Sequence, residues 1–223
     1  VNVRPIAITK PLPGAIPGLD EKASAEDIIV YCARVSNPAN QSNHETGDRL
    51  LRFCIRNGHW SVFETVSLTV EIKTSRAIAA QMLRHRSFVF QEFSQRYSTP
   101  SSFATHAEMR PRNPGGNRQG SDEVEPLKHP NAVRALVHNH LAASTDLYQR
   151  LIDEGVAPEC ARMILPLATP TTLYMTGSVR SWIHYFEQRT STHAQKEHRL
   201  VAIEVQKHFN ALFPTVAKAL SEA

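Results

Sequence analysis

The chain has 223 residues, with 25 lysines and arginines against 21 aspartates and glutamates and a formal net charge of +4. A chain of this length buries roughly 70% of its unfolded surface, so a core is expected without help from disulfides or metal, and 1–223 is taken as a single domain. Apolar runs such as Ala77 to Ala80 are too short to span a bilayer, and three scattered cysteines make no disulfide framework.

Val1 to Lys10 hold two basic residues and no apolar stretch, so no secretory signal is expected and the chain is read as cytoplasmic. An extended piece, Val3 to Thr9, leads into a Pro/Gly-rich turn over Pro11 to Gly18. Ser24 then has the character of a helix N-cap, with Glu26 and Asp27 in the first turn and apolar residues from Ile28 to Val35 at helical spacing. A second helix is predicted from Thr46 to Arg56, stopping at Asn57-Gly58. Val66, Leu68, Val70 and Ile72 alternate with polar residues as a half-buried strand. Thr74 or Ser75 caps a third helix from Ala77 to His85, and alternation from Phe88 to Ser98 predicts another strand. Pro100 to Pro126 shows no periodicity, as in a functional loop or lid. Helices follow over Asn131–Asp153, Pro158–Leu165, Ser178–Gln188 and His193–Leu212. Strands early and helices late point to an α+β fold.

The chemistry-bearing residues cluster in the middle of the chain. Gln81 lies one helical turn before Arg84 and His85, which places the three on one face, while Arg86 is about 200° round from Arg84. On a strand, Glu92, Ser94 and Arg96 at i, i+2 and i+4 would share one face, with Arg96 able to grip phosphate in a bidentate fork. Arginine outnumbers lysine, which favours forked recognition of phosphate or carboxylate. The basic surplus forms no long stripe, so nucleic-acid binding is not expected. Nor is a metal: His193 to His198 has one residue too many for an H-x-x-E-H motif, and His138 and His140 diverge on their helix. Cys32, Cys54 and Cys160 read as core or near-core thiols, which leaves no poised cysteine nucleophile.

Arg84-His85-Arg86, seven residues, then Ser94 form an R-H-R-x7-S signature, and with it the chain resembles the flavin-dependent thymidylate synthases. Gln81 before it and Glu92-x-Ser94-x-Arg96-Tyr97-Ser98 within and after it agree. So do Ala33-Arg34-Val35-Ser36, Gly58-His59, Ala161-Arg162 before Leu165-Pro166-Leu167, Arg180-Ser181, and Arg189 with Ser191-x-His193-Ala194-Gln195. The resemblance spans most of the chain.

It implies a thymidylate synthase-complementing protein-like fold, with a central, mostly antiparallel sheet flanked by helices. It also implies reductive methylation of dUMP to dTMP, with methylenetetrahydrofolate as carbon donor, NADPH as reductant and FAD linking them. Gln81, Arg84, Glu92, Ser94, Gln95, Arg96, Arg162 and Arg189 would fall on dUMP-contacting positions. Ser36, Ser61, Arg84, His85, Arg86, Glu92, Ser178, Arg180, His184, Arg189 and His193 would fall on FAD-contacting ones. His59 and Tyr97 would stack folate or nicotinamide, and the family is homotetrameric with its flavin at subunit interfaces. Arg189, Arg96, Ser94 and His59 are the expected catalytic set, with Ser94 assigned to binding because no base at a predictable spacing would take its proton. No G-x-G-x-x-G turn is present, so flavin phosphates would rest on the forks of Arg84, Arg86 and Arg180. Four positions depart from the family pattern: Thr65, where relatives carry a histidine after the glutamate, Gln95 in place of glycine, and Ser178 and His184 in place of asparagine.

Overall fold

In a computed structural model describing residues 2–19, 23–100, 102–113, 115 and 120–222, strand β1 (Asn2–Ile8) pairs with β2 (Ser67–Ser75), and β2 with β4 (Pro170–Ser178). A short β3 (Val89–Glu92) closes the other edge, all pairings are antiparallel, and the strand order is β1-β2-β4-β3. The expected α+β architecture with an antiparallel sheet and helices around it is the one found. In β2, Leu68, Val70 and Ile72 are fully buried, as their alternation requires.

Strand β4 is not foreseen by the sequence reading. Its buried positions are Thr171, Leu173, Met175 and Gly177, an alternation disguised by a threonine, a glycine and the opening Pro170. The predicted strand from Phe88 to Ser98 is correct only in its first half. Phe93 N–H still reaches Thr172 O at 2.9 Å, but the partner strand begins two residues further back, at Pro170, which has no N–H to give. The chain turns instead: Ser94 O accepts from Tyr97 and Ser98 at 3.2 and 3.4 Å. Glu92, Ser94 and Arg96 therefore do not share a strand face.

Helix α1 (Ala25–Ala33) starts from a capping box in which Ser24 Oγ accepts from Asp27 N–H at 3.3 Å and Asp27 accepts from Ser24 N–H at 2.8 Å. Helix α2 (Gly47–Arg56) ends at Gly58, whose φ of +67° suits the left-handed exit. Helix α3 (Arg76–Met82) is capped by Ser75 and stops before Arg84 and His85, which lie in the following turn. Then come α4 (Pro130–Asp153), a short α5 (Pro158–Ala161) running into a tight turn through Ile164, α6 (Val179–Arg189) and α7 (Lys196–Leu212). His193 precedes α7, outside the helix expected to contain it, and α8 (Pro214–Ser221) was not expected. Among the described residues no helix is long and apolar enough to cross a membrane.

The core lies between the sheet and helices α6 and α7. Trp182, Tyr185, Phe186, Val205 and Phe209 are buried there with Leu68, Ile72, Leu173 and Met175, and Trp182 Nε1–H donates to Leu68 O at 3.1 Å. Helix α4 buries only Leu141, Ser144 and Tyr148 of its 24 residues. The 100–126 loop, of which 101, 114 and 116–119 lie outside the described residues, is pinned by ion pairs. Lys196 meets Glu108 at 2.8 Å, Arg110 meets Glu197 at 2.6 Å, and Arg199 meets Glu123 at 2.7 Å, all at the start of α7.

Candidate active site

The end of α3, the end of α6 and the connection to α7 converge on a cleft of about 1010 Å³. Gln81, Arg84, His85, Arg189 and His193 line it, so five of the expected site residues gather there although Arg84 and His85 have left the helix. The loop adds Arg110, Arg112 and Glu123. Arginines and Lys196 outnumber the one lining carboxylate, and Arg84 and Arg112 form no ion pair among the described residues, so the cleft favours an anion.

Arg189 Nε–H donates to His85 Nε2 at 2.9 Å. Burial, with Arg189 and His184 nearby, lowers His85 to about 4. His85 is therefore neutral at pH near 7, with Nε2 as acceptor and its proton on Nδ1. The bond also fixes the Arg189 guanidinium from its inner nitrogen.

A second cleft, about 680 Å³, opens beside the junction of β4 and α6. Ser178, Arg180 and His184 line it with Trp60 and Glu64. Ser178 Oγ caps α6 by accepting from Ser181 N–H at 3.2 Å, and Arg180 pairs with Glu64 at 2.6 Å. His184 takes a bond from Gln188 at 2.7 Å and lies 3.5 Å from Glu187. A Cβ on Gly177 in this wall would run into the Phe88 ring, so close packing demands glycine there.

A third group lines neither cleft. Glu92 accepts from Arg76 at 3.2 Å and Thr171 at 2.9 Å. Arg96 pairs with Glu159 at 3.2 Å, and Arg162 Nε–H donates to Glu159 O at 3.3 Å. Gln95 is buried with its Nε2 unpartnered among the described residues, and Tyr97 is 88% exposed. Ser36, Ser61, His59 and Arg86 are also exposed and outside both clefts, with the His59 ring edge-on to Phe53 at 5.6 Å. Arg84 lines the first cleft and Arg86 does not, but both lie in the turn after α3, so the expected helical angle between them does not apply.

The cysteine reading needs one correction. Cys54 is buried and its thiol is pushed up by burial, and Cys32 is half-buried, but Cys160 is exposed because α5 turns only Ala161 inward. Among the described residues no three His, Cys, Asp or Glu side chains gather to hold a metal ion. Sequence reasoning missed Arg110 and Arg112, although their charge-dense tract was a usable signal. It also missed Tyr185 and His198, buried beneath the first cleft, which nothing in the local sequence marks.

The family model described as thymidylate synthase complementing protein matches residues 19–215. The chain is 50% identical over 223 residues to the flavin-dependent thymidylate synthase of Synechocystis sp., with 99% of each covered. It is 46% identical over 220 residues to the probable flavin-dependent thymidylate synthase of Paramecium bursaria Chlorella virus 1, again with 99% of each covered. Among solved structures, the UMP/dUMP methylase PolB from Streptomyces cacaoi, bound with 5-Br dUMP, superposes with a TM-score of 0.79 at 26% identity, covering 99% of this chain and 94% of that one. With Arg84 and His85 of the R-H-R signature lining an anion-favouring cleft and these relatives matching from end to end, the chain belongs to the flavin-dependent thymidylate synthase family.

Proposed function

We propose that the protein catalyses the reductive methylation of dUMP to dTMP, with 5,10-methylenetetrahydrofolate as carbon donor, NADPH as reductant and FAD as redox cofactor. The observation that carries this reading is the first cleft, where Gln81, Arg84, His85 and Arg189 converge on space able to take an anionic nucleotide. The residues fit a flavin dinucleotide as well. Arg84 and Arg86 are exposed guanidinium groups without a carboxylate partner among the described residues, and Arg180 stands beside the start of α6 in the second cleft. FAD, when bound, supplies the route by which reducing equivalents reach the pyrimidine.

On this reading Ser36, Ser61, Arg84, His85, Arg86, Glu92, Ser178, Arg180, His184, Arg189 and His193 hold FAD. Gln81, Arg84, Glu92, Ser94, Gln95, Arg96, Arg162 and Arg189 hold dUMP, and His59 and Tyr97 stack the folate or nicotinamide. Arg189, oriented by His85, keeps its terminal nitrogens for phosphate or a uracil carbonyl, and stabilises anionic character in the ring. Ser94 binds without acting as nucleophile, and no cysteine takes part.

Arg96, Ser94, Tyr97 and Arg162 lie away from the clefts that would need them. A homotetramer resolves this, with these residues serving a neighbouring subunit. Exposed Tyr97, Met163 and Leu167 around them, and the thinly buried α4, support such contacts. The test is the visible spectrum of the purified, FAD-loaded protein. A bound flavin band that bleaches with NADPH in anaerobic buffer is expected, and a protein that retains no flavin at all contradicts the reading.

A further inference from the structure

From the wall of the first cleft inward a chain of hydrogen bonds runs in a single direction, and its polarity is fixed at one end. Glu197 Oε1 meets Arg110 at 2.6 Å, and Glu197 Oε2 accepts from Gln195 Nε2 at 2.9 Å. Burial opposes ionisation of Glu197, but its own backbone N–H, Arg110 and Gln195 outweigh this and hold it below the usual carboxylate range. A carboxylate only accepts, so Gln195 must turn its amide nitrogen towards it and its Oε1 towards Gln81. Gln81 then donates from Nε2 at 2.6 Å, which turns its own Oε1 inward to His198 Nδ1 at 3.3 Å. His198 must carry its proton on Nδ1, and its bare Nε2 accepts from the Tyr185 hydroxyl at 3.0 Å.

We infer that Tyr185 and His198 are positioning residues: from facing helices α6 and α7 they hold the Gln81 carboxamide in one orientation, so that it presents an N–H and not a carbonyl oxygen to a bound nucleotide. The inference rests on reading the first cleft as the nucleotide site. Neither residue lines that cleft, and both are fully buried. At the buried His198 end a reversed amide would set donor against donor, a penalty for a ring with no water to turn to, while at the cleft end it would face Gln195 oxygen to oxygen. Burial, with Arg189 and His85 nearby, lowers His198 to about 3, which keeps the ring neutral as the relay requires. One Gln81 N–H is used by Gln195, and the second remains for an oxygen of the ligand.

The test compares two double variants of the FAD-loaded protein that differ by one near-isosteric residue. In Tyr185→Phe/His198→Asn the Asn amide nitrogen replaces Nδ1 as donor to Gln81, whereas in Tyr185→Phe/His198→Leu that donor is gone. The Leu variant is expected to bind dUMP about three- to tenfold more weakly, with KM raised and kcat within about twofold, as for loss of one oriented hydrogen bond. The Asn variant is expected to stay within about twofold of wild type, with the same flavin content in both. Equal dUMP affinities in the two variants, or flavin content falling in step with dUMP affinity, would overturn the inference. Should the Leu variant not fold, ¹⁵N spectra of the wild-type imidazoles decide alone. A proton on His198 Nδ1 supports the relay, and one on Nε2 overturns it. Failure of the wild type itself to bind dUMP would count against the nucleotide reading of the cleft, while the His198 tautomer would still test the relay.

Discussion

Arg189 donates to His85 through its inner nitrogen, so the second residue of the R-H-R signature aims an arginine from a helix more than a hundred positions away. A cation bonded to the ring nitrogen, in a half-buried place, leaves no room for a second proton. His85 and His198 are lowered from 6.5 to about 4 and about 3. Below 6.5 the unfolded chain takes up protons that the folded chain refuses, so stability is full above that pH and falls as the pH drops towards 4. Urea unfolding at about pH 7 and about pH 5 checks this, with a lower midpoint expected at the lower pH. His198→Leu should shrink the difference, and an unchanged difference would remove His198 from the account.

Arg96 and Glu159 form an ion pair whose side chains are 59% and 55% exposed. Exposed pairs contribute about 0–1 kcal/mol, so Arg96→Ala should barely move the thermal midpoint. Loss of a charge-assisted contact to phosphate should weaken dUMP binding by about 10- to 150-fold. Calorimetric titration with dUMP separates the two effects, and wild-type affinity in the variant would take Arg96 out of the phosphate site.

Gly177 and Phe88 pack so closely that any side chain at 177 displaces the ring. Phe88 in turn stacks edge-on against Trp182 at 4.7 Å, deep in the core. Gly177→Ala is expected to cost about 1–3 kcal/mol of stability by overpacking, read from denaturant midpoints, and to loosen the wall of the second cleft. A variant of unchanged stability would show that Phe88 can move aside freely.

The thiols provide a negative control. Cys160 is the exposed one and should react first with an alkylating reagent, ahead of buried Cys54. If no cysteine attacks the pyrimidine, Cys160→Ala should keep kcat within about twofold. Loss of turnover in that variant, with dUMP affinity intact, would restore a thiol to the chemistry.

How far the sequence speaks depends on where the information lies. Ser24 and Asp27 announce α1 because a capping box is local, and β2 is plain because Leu68, Val70 and Ile72 alternate with polar residues. Strand β4 hides because its inward positions include Thr171 and Gly177, chosen for close packing and hydrogen bonding over hydrophobicity. Arg96 was misplaced for a tertiary reason: past Phe93 the pairing would have to continue onto Pro170, which has no N–H to give, and no reading of residues 88–98 discloses that. Gln81, Arg84 and His85 do converge on the cleft, but Arg84 and His85 sit in the turn after α3, so the shared helix face that their spacing implied is not what brings them together. Tyr185 and His198 meet across two helices, and the ion pairs that pin the 100–126 loop to α7 likewise join distant segments.

The most direct measurement of the central claim is product analysis after incubating the FAD-loaded protein anaerobically with dUMP, methylenetetrahydrofolate and NADPH. dTMP is expected in step with NADPH oxidised, and none when FAD is stripped or Arg189 is replaced by alanine. Steady NADPH oxidation with dUMP recovered unchanged would contradict it.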